Sequence, residues 1–113
     1  MHELSIVMSV VDIAQSQTQT HKAKKVDQIE LEIGSLSGIE MDAFLFAWDA
    51  AIPNTVLEKA ERVIHHIPAI AKCTVCQHEY VMKELFTACP NCGDFLSELL
   101  QGKELRVKTL TVS

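Results

Sequence analysis

The sequence predicts an α+β fold: a small mixed three-stranded sheet covered by two helices, with an inserted four-cysteine zinc ribbon. Two segments have helical periodicity, and three others alternate apolar and polar residues as strands do. Two Cys-x-x-Cys turns lie between the second and third predicted strands. With 113 residues and 48% hydrophobic content, the chain can form one modest core, and intrinsic disorder is not expected.

The first predicted helix extends from Glu3 to about Gln17. Its polar positions recur at spacings of four, three and four, and its apolar residues occupy the other sides. The polar stripe is Ser5, Ser9, Asp12 and Ser16, and the apolar residues are Leu4, Val7, Val10, Val11 and Ala14. This pattern indicates an amphipathic helix with a narrow solvent-facing stripe.

A strand and a second helix are predicted next. Ile29, Leu31 and Ile33 alternate with polar residues, as in a strand with one buried face, and Gly34 ends the alternation. The sequence Ser37-Gly38-Ile39-Glu40 has the form of a capping box, in which the serine and glutamate side chains satisfy free amides at a helix start. The helix predicted from there ends at Pro53-Asn54.

Two further strands complete the predicted sheet, at Arg62 to Ile67 and at Leu105 to Val112. The alternation of the last strand slips by one residue after Val107, which indicates a bulge. This order of elements predicts an α/β domain over residues 1–68, completed by the strand 104–113, and a zinc-ribbon domain over residues 69–103.

The two cysteine turns are Cys73-Thr-Val-Cys76 and Cys89-Pro-Asn-Cys92, with twelve residues between them. Each turn directs two thiolates at one centre, so two facing turns form an all-sulfur tetrahedron of the kind that zinc prefers. Because four thiolates fill the coordination shell and leave no place for water, we expect the zinc to be structural.

Three alternatives compete with zinc at these cysteines. A rubredoxin-like iron site would use the same two turns, and a redox dithiol would need fewer cysteines than the four present. Paired disulfides would require an oxidising compartment, but the chain opens on Met-His-Glu without an apolar signal segment. We therefore expect a reducing, cytoplasmic location.

Charge and hydropathy exclude two classes of partner. The formal net charge is −5, and no basic stripe interleaved with aromatic residues is present, so nucleic-acid binding is not expected. No apolar stretch reaches the roughly 20 residues that a membrane helix needs, so no membrane contact is expected either.

The first three residues form a second candidate metal site. Met1 is expected to survive processing because His2 is bulky, leaving a free amine beside an imidazole and the Glu3 carboxylate. The amine, the amides of residues 2 and 3 and the imidazole can surround one ion in a planar nitrogen set, which favours Ni(II) or Cu(II). On these residues alone, a solvated His2 and a Glu3 that complements the helix dipole is the more common arrangement.

Several motifs occur together and in order along nearly the whole chain. They are Met1-His2-Glu3-Leu4-Ser5, Ile33-Gly34-Ser-Leu-Ser37-Gly38-Ile39-Glu40, the paired cysteine turns, and Leu105-Arg-Val-Lys-Thr-Leu. Each motif is ordinary, but the combination is specific. In this combination the chain resembles the HypA/HybF family of nickel metallochaperones for hydrogenase maturation.

The resemblance implies a carrier with no catalytic residues. Ni(II) would be transient cargo on Met1, His2 and Glu3, with Glu40 first a helix cap and second a nickel neighbour. Structural Zn(II) would bind Cys73, Cys76, Cys89 and Cys92. The implied partners are a maturation GTPase and the large subunit of a [NiFe] hydrogenase.

Two other functions are weighed against the carrier. The first is a zinc-ribbon interaction module without nickel transfer, which the acidic charge balance disfavours if the partner is nucleic acid. The second is an enzyme that uses His65 or His66 with Glu40 as acid and base, but their spacing forms no recognisable site.

Overall fold

The computed structural model describes residues 3–113, which form two helices and six strands. These are α1 Glu3–Thr20, β1 Val26–Gly34, α2 Met41–Ala51, β2 Glu61–Ile67, β3 Ile70–Cys73, β4 Glu79–Val81, β5 Ser97–Gln101 and β6 Leu105–Val112. The predicted α+β class, with two helices, a three-stranded sheet and a cysteine-bearing insert, is confirmed. The insert forms a second sheet of its own, from β3, β4 and β5.

Helix α1 follows its predicted periodicity and continues to Thr20, beyond the predicted end. Its buried residues are Val7, Val10, Val11, Ala14 and Thr18. The buried Thr18 hydroxyl donates to the Gln15 carbonyl over 2.8 Å, which satisfies its polar group inside the helix. Leu4, which the pattern placed away from the polar stripe, is 55% exposed.

The first sheet has the strand order β2-β1-β6. At one end of the β1–β6 pair, Lys25 and Ser113 exchange backbone hydrogen bonds of 3.2 and 3.0 Å. At the other end, the Gly34 N–H donates to the Glu104 carbonyl over 2.7 Å. Because residue numbers rise on one side as they fall on the other, β1 and β6 are antiparallel.

On its other side, β1 pairs with β2 in parallel. The Gln28 amide donates to the Glu61 carboxylate near the start of both strands, and the Ser35 N–H donates to the Ile67 carbonyl near their ends. Helix α2 lies in the connection between these two strands, as a parallel pair requires. The sheet is therefore mixed, as predicted.

The start of α2 differs from the predicted capping box. Glu40 itself is the N-cap, and its carboxylate accepts from the Asp42 and Ala43 N–H groups over 3.2 and 2.7 Å. The prediction that Ser37 caps the helix is wrong, because Gly38 has a φ of 84° and cannot be in the first helical turn. Glu40 therefore remains a capping residue, but at the cap position and not inside the first turn.

The chain divides into two compact units. The first comprises Met1–Leu31, Ile39–Ile64 and Arg106–Ser113. Within it α1 packs against α2. The largest fully buried side chains of this unit are Trp48, Phe44, Ile29, Leu57, Val7 and Val26.

The second unit comprises Glu32–Gly38 and His65–Leu105. Its sheet has the order β4-β3-β5, with β3 antiparallel to both neighbours and a register shift between Ile70 and Ala71. Its buried cluster is small: Ala69, Ala71, Cys73, Tyr80, Met82 and Cys89. Two of these six residues are cysteines of the predicted metal site, so the unit has little core apart from that site.

Two glycines allow close backbone packing within the second unit. A Cβ placed on Gly34 would lie 2.1 Å from the Gly102 carbonyl oxygen, and one on Gly102 would lie 2.5 Å from the Ala69 Cα. Hydrogen bonds from the Leu36 N–H to the Gly102 carbonyl and from the Gly102 N–H to the Glu104 carboxylate, both 2.7 Å, hold the contact.

No helix within residues 3–113 is long and apolar enough to cross a membrane.

Candidate metal centre

The four cysteine sulfurs lie together, within 4.8 Å of one another. The shortest separations run between the two turns: 3.5 Å from Cys73 Sγ to Cys92 Sγ, and 3.6 Å from Cys76 Sγ to Cys89 Sγ. Cys73 and Cys89 are buried, Cys76 is half-buried and Cys92 is exposed. The cluster therefore has one side in the interior of the unit and one side toward solvent.

These separations match a tetrahedral thiolate site. A zinc–sulfur bond of about 2.3 Å gives sulfur–sulfur edges of about 3.8 Å in a regular tetrahedron. All four cysteines are free thiols, so every sulfur is available to a metal. The cluster can hold one metal ion, with no open position for water.

The two turns have the same backbone geometry. In the first, the Gln77 N–H donates to the Cys73 carbonyl over 3.0 Å, and the Cys73 N–H donates to the His78 carbonyl over 2.9 Å. In the second turn, the Gly93 N–H donates to the Cys89 carbonyl over 2.8 Å, and the Cys89 N–H donates to the Asp94 carbonyl over 2.9 Å. Two equal loops thus present their paired thiols to one point.

Each loop needs a left-handed residue directly after its second cysteine. Gly93 has a φ of 78° and Gln77 a φ of 66° at equivalent places. Glycine adopts this conformation without steric cost, whereas a glutamine there is strained by about 1 kcal/mol or more. The first turn therefore carries a local strain that the second does not.

A side chain of the second turn acts on a thiol of the first. The Asn91 amide donates to the Cys76 sulfur and, with a backbone contact at His78, lowers the pKa of this thiol from 9.0 to about 6. The Asn91 contact therefore favours the thiolate form of Cys76, which is the form that binds a metal. The role of Asn91 was not predicted from the sequence, although its place inside the second Cys-x-x-Cys turn is a usable signal.

The exposed thiol of the cluster behaves in the opposite way. A backbone contact at Asp94 lowers the pKa of Cys92, but hydrogen bonds with the surrounding thiols, Cys73 foremost, outweigh it and raise the pKa to about 12. Sulfurs packed this closely resist ionising together in the absence of a cation. A metal ion would remove this repulsion, which is why the cluster favours a bound cation.

The loops are tied to each other by the segment before β5. The Thr74 N–H and hydroxyl both donate to the Leu96 carbonyl over 2.9 Å. The Leu96 N–H donates to the Asp94 carboxylate over 2.8 Å. These bonds connect the two turns through the backbone and fix the spacing of their cysteines.

The predicted N-terminal site lies partly outside the described residues, because Met1 and His2 precede residue 3. Glu3 is described, and its carboxylate accepts from the Glu40 N–H over 3.1 Å. Glu3 and Glu40, two of the residues predicted to lie at the nickel site, are thus hydrogen-bonded to each other, Glu3 through its side chain and Glu40 through its backbone. Both oxygens of Glu40 are engaged by the cap of α2.

The remaining histidines are not arranged as metal ligands. Within residues 3–113, the four cysteines are the only group of three or more His, Cys, Asp or Glu side chains close enough together to hold an ion. His78 takes part in the first turn through its backbone carbonyl. The exposed His21 ring contacts the Gln17 carbonyl over 2.9 Å.

Comparison with known proteins gives consistent matches over the whole chain. Residues 1–112 match the family model described as "Hydrogenase/urease nickel incorporation, metallochaperone, hypA". A hydrogenase maturation factor HypA of Parabacteroides distasonis is 44% identical over 112 residues, which is 99% of this chain and 97% of that protein. The corresponding factor of Geotalea daltonii is 43% identical over 112 residues and 99% of both chains.

Solved structures share the fold. The solution structure of the nickel metallochaperone HypA from Helicobacter pylori has a TM-score of 0.68 at 24% identity, over 99% of this chain and 97% of that one. A second solution structure of a HypA protein has a TM-score of 0.71 at 23% identity, over 100% and 97%.

Proposed function

Because the chain belongs to the HypA family of nickel-incorporation metallochaperones for hydrogenase maturation, we propose that it carries Ni(II) at its N-terminus and delivers it to a [NiFe] hydrogenase. The observation that carries this proposal is the whole-chain family match to residues 1–112, which includes both candidate metal sites. The matched relatives are named for hydrogenase maturation, and hydrogenase is therefore the target we propose.

We propose that Met1, His2 and Glu3 bind nickel. The terminal amine, two backbone amides and an imidazole give the planar nitrogen donors that Ni(II) favours. The bond from the Glu40 N–H to the Glu3 carboxylate supports this assignment, since it holds residue 3 against the start of α2. Because the ligands compete with protons, nickel release on acidification is a property that a carrier needs.

We propose that zinc occupies the cluster formed by Cys73, Cys76, Cys89 and Cys92. The support is the donor set: four free thiols, cross-turn separations of 3.5 and 3.6 Å, and no open coordination position. Bound zinc would supply charge neutralisation and a fixed cross-link between the two turns, so its effect is structural. In this proposal, residues 69–103 form a zinc-ribbon domain, and residues 1–68 and 104–113 form a nickel-binding domain.

The proposed delivery route needs two partners and one compartment. A maturation GTPase would take part in the transfer, and the large subunit of the hydrogenase would receive the metal. Four free thiols persist in a reducing compartment, and we therefore propose that the protein acts in the cytoplasm. The proposal includes no catalytic residue, since moving an ion between ligand sets requires none.

The test is metal stoichiometry on tag-free protein with an authentic Met1. His2→Ala removes the proposed imidazole ligand, and His21→Ala is the matched control, because His21 is an exposed histidine directly after the last residue of α1. We expect one zinc in every protein, and one nickel in the unmodified chain and in His21→Ala but none in His2→Ala. A Gly-Ser extension before Met1 should also abolish nickel binding, because it displaces the terminal amine.

Other outcomes would contradict parts of the proposal separately. Equal nickel binding by His2→Ala and the unmodified chain would move the nickel site elsewhere. Nickel binding by neither protein, with zinc retained, would leave a zinc-ribbon interaction module. Loss of nickel from Glu40→Gln without any loss of helix content would assign Glu40 to the nickel site in addition to the cap.

A further inference from the structure

Helix α2 presents a large apolar side chain to solvent. Phe46 is 78% exposed, whereas Phe44, Ala47 and Trp48 of the same helix are buried in the first unit. A single exposed apolar residue is ordinary on a protein surface. Phe46 is not isolated, however, because Ala43 and Ala50 are exposed on the same side of the helix, one turn before it and one turn after it.

The spacing of this face is that of a helix-pairing seam. Ala43, Phe46 and Ala50 follow one another at intervals of three and four residues, which is the a-d-a spacing of a heptad repeat. The two alanines are small, so a second helix could approach closely on either side of the Phe46 ring. The other face of α2 is already buried, which leaves this seam as its exposed side.

Acidic residues border one side of the seam, and the buried Ala47 borders the other. Asp42 and Asp49 are exposed and precede the two alanines, at the positions that form salt bridges between paired helices. Within residues 3–113 neither carboxylate takes part in an ion pair. Both carboxylates are therefore available to a cationic side chain of a partner.

The same charges disfavour pairing of α2 with a second copy of itself. In an antiparallel pair of identical helices the two aspartate positions face each other, so aspartate would meet aspartate, and in a parallel pair they would face the buried Ala47 and gain no partner. Like charges opposite one another destabilise such a pair, and opposite charges stabilise it. The occupant that fits is a basic helix from a different protein.

We propose that the outer face of α2, formed by Ala43, Phe46 and Ala50 with Asp42 and Asp49 along one side, docks an amphipathic helix of a partner protein. That helix carries an apolar stripe flanked by lysine or arginine. An α2 of 11 residues is about 16 Å long, which buries less area than a permanent interface needs. The contact is therefore a transient one, as suits a protein that meets its partner and leaves.

One consequence rests on the proposed nickel function. Phe46 lies six residues, or about 9 Å along the axis, from Glu40, whose N–H bonds to the Glu3 carboxylate. A helix docked on this face would lie about that far along α2 from Glu3, the described member of the proposed nickel ligands. The docking itself does not depend on nickel, and its test below uses protein without nickel.

The test uses two labelled helical peptides of about 20 residues, titrated with the zinc-loaded full chain and followed by fluorescence anisotropy. Both carry leucine at the a and d positions; one has lysine at the e and g positions and the other has glutamate. We expect the lysine peptide to bind and to shift the amide NMR signals of α2. The glutamate peptide should bind at least about tenfold more weakly.

Three variants separate docking on α2 from nonspecific binding to exposed apolar side chains. Phe46→Ala should weaken the lysine peptide about tenfold or more, and Phe95→Ala, at a phenylalanine that is 63% exposed in the other unit, should leave it within about twofold. Asp49→Lys should weaken the lysine peptide by about threefold and strengthen the glutamate peptide. These changes leave the buried side of α2 intact, so folding should be retained.

Several results would overturn the proposal. They are failure of the lysine peptide to bind, equal binding of both peptides, or equal effects of Phe46→Ala and Phe95→Ala. Self-association lost in Phe46→Ala would make the occupant a second copy of this chain. Normal nickel stoichiometry alongside any of these results would leave the nickel proposal standing.

Discussion

Replacing Gly34 with alanine tests the close packing on which the second unit depends. The new Cβ would lie 2.1 Å from the Gly102 oxygen, whereas ordinary contact begins at 3.4 Å, so the two backbones must separate by about 1.3 Å. That movement breaks the 2.7 Å hydrogen bond from the Leu36 N–H to the Gly102 carbonyl. Neither backbone can rotate away as a flexible side chain could.

The expected cost follows from these changes. A lost hydrogen bond contributes about 1 kcal/mol and overpacking about 2 kcal/mol. The lower entropy of the unfolded alanine chain offsets less than about 1 kcal/mol. We expect Gly34→Ala to lower the free energy of unfolding by about 2 kcal/mol, which is about 8 °C in Tm for a chain of this size.

The assay is thermal unfolding of zinc-loaded protein by circular dichroism, with zinc content checked before each scan. Gly93→Ala is the matched control, because a Cβ there meets nothing within 4 Å and only the φ of 78° opposes it. We expect the control to lose about 1 kcal/mol. The reasoning would be refuted if Gly34→Ala matched the unmodified protein or unfolded at a higher temperature than Gly93→Ala.

Two further predictions concern the cysteine turns. Asn91→Ala should return the pKa of Cys76 from about 6 toward 9.0, so protons compete with zinc over a wider range and the pH midpoint of zinc release rises. A chelator titration across pH checks this, and an unchanged or lower midpoint would contradict it. Gln77→Gly should relieve the strain of the 66° φ and tighten zinc binding about fivefold, or about 1 kcal/mol. Competition with a chelator of known affinity measures this change, and weaker binding would show that the glutamine side chain stabilises the turn.

Local patterns predicted much of the fold. The alternation from Ile29 to Ile33 and the stretch from Leu105 to Val112 gave strands β1 and β6, because a buried face imposes a period of two on the sequence. The polar stripe of the first helix gave α1 in the same way. The spacing of the cysteines predicted that four sulfurs would meet, since two Cys-x-x-Cys turns have few other uses.

What the sequence did not predict depends on backbone conformation and on distant contacts. Ser37 fitted the pattern of a cap as well as Glu40 does, and the choice is made by Gly38, whose positive φ ends the preceding turn. The three strands of the second sheet have only three to five residues, too few to show a period. The approach of Gly34 to Gly102 joins residues far apart in the chain.

The composition of the second unit gives a reason to expect its stability to depend on a metal at the four cysteines. Most of its large apolar side chains are exposed, including Phe86 at 83%, Leu96 at 66% and Phe95 at 63%. Its interior is instead formed by small residues, Tyr80, Met82 and two of the cysteines. Such a core buries too little apolar surface to offset the entropy of ordering its chain, so ligation must supply the difference. This is the physical reason to expect a metal at the cysteines to remain in place: removing it would unfold the unit that it holds together.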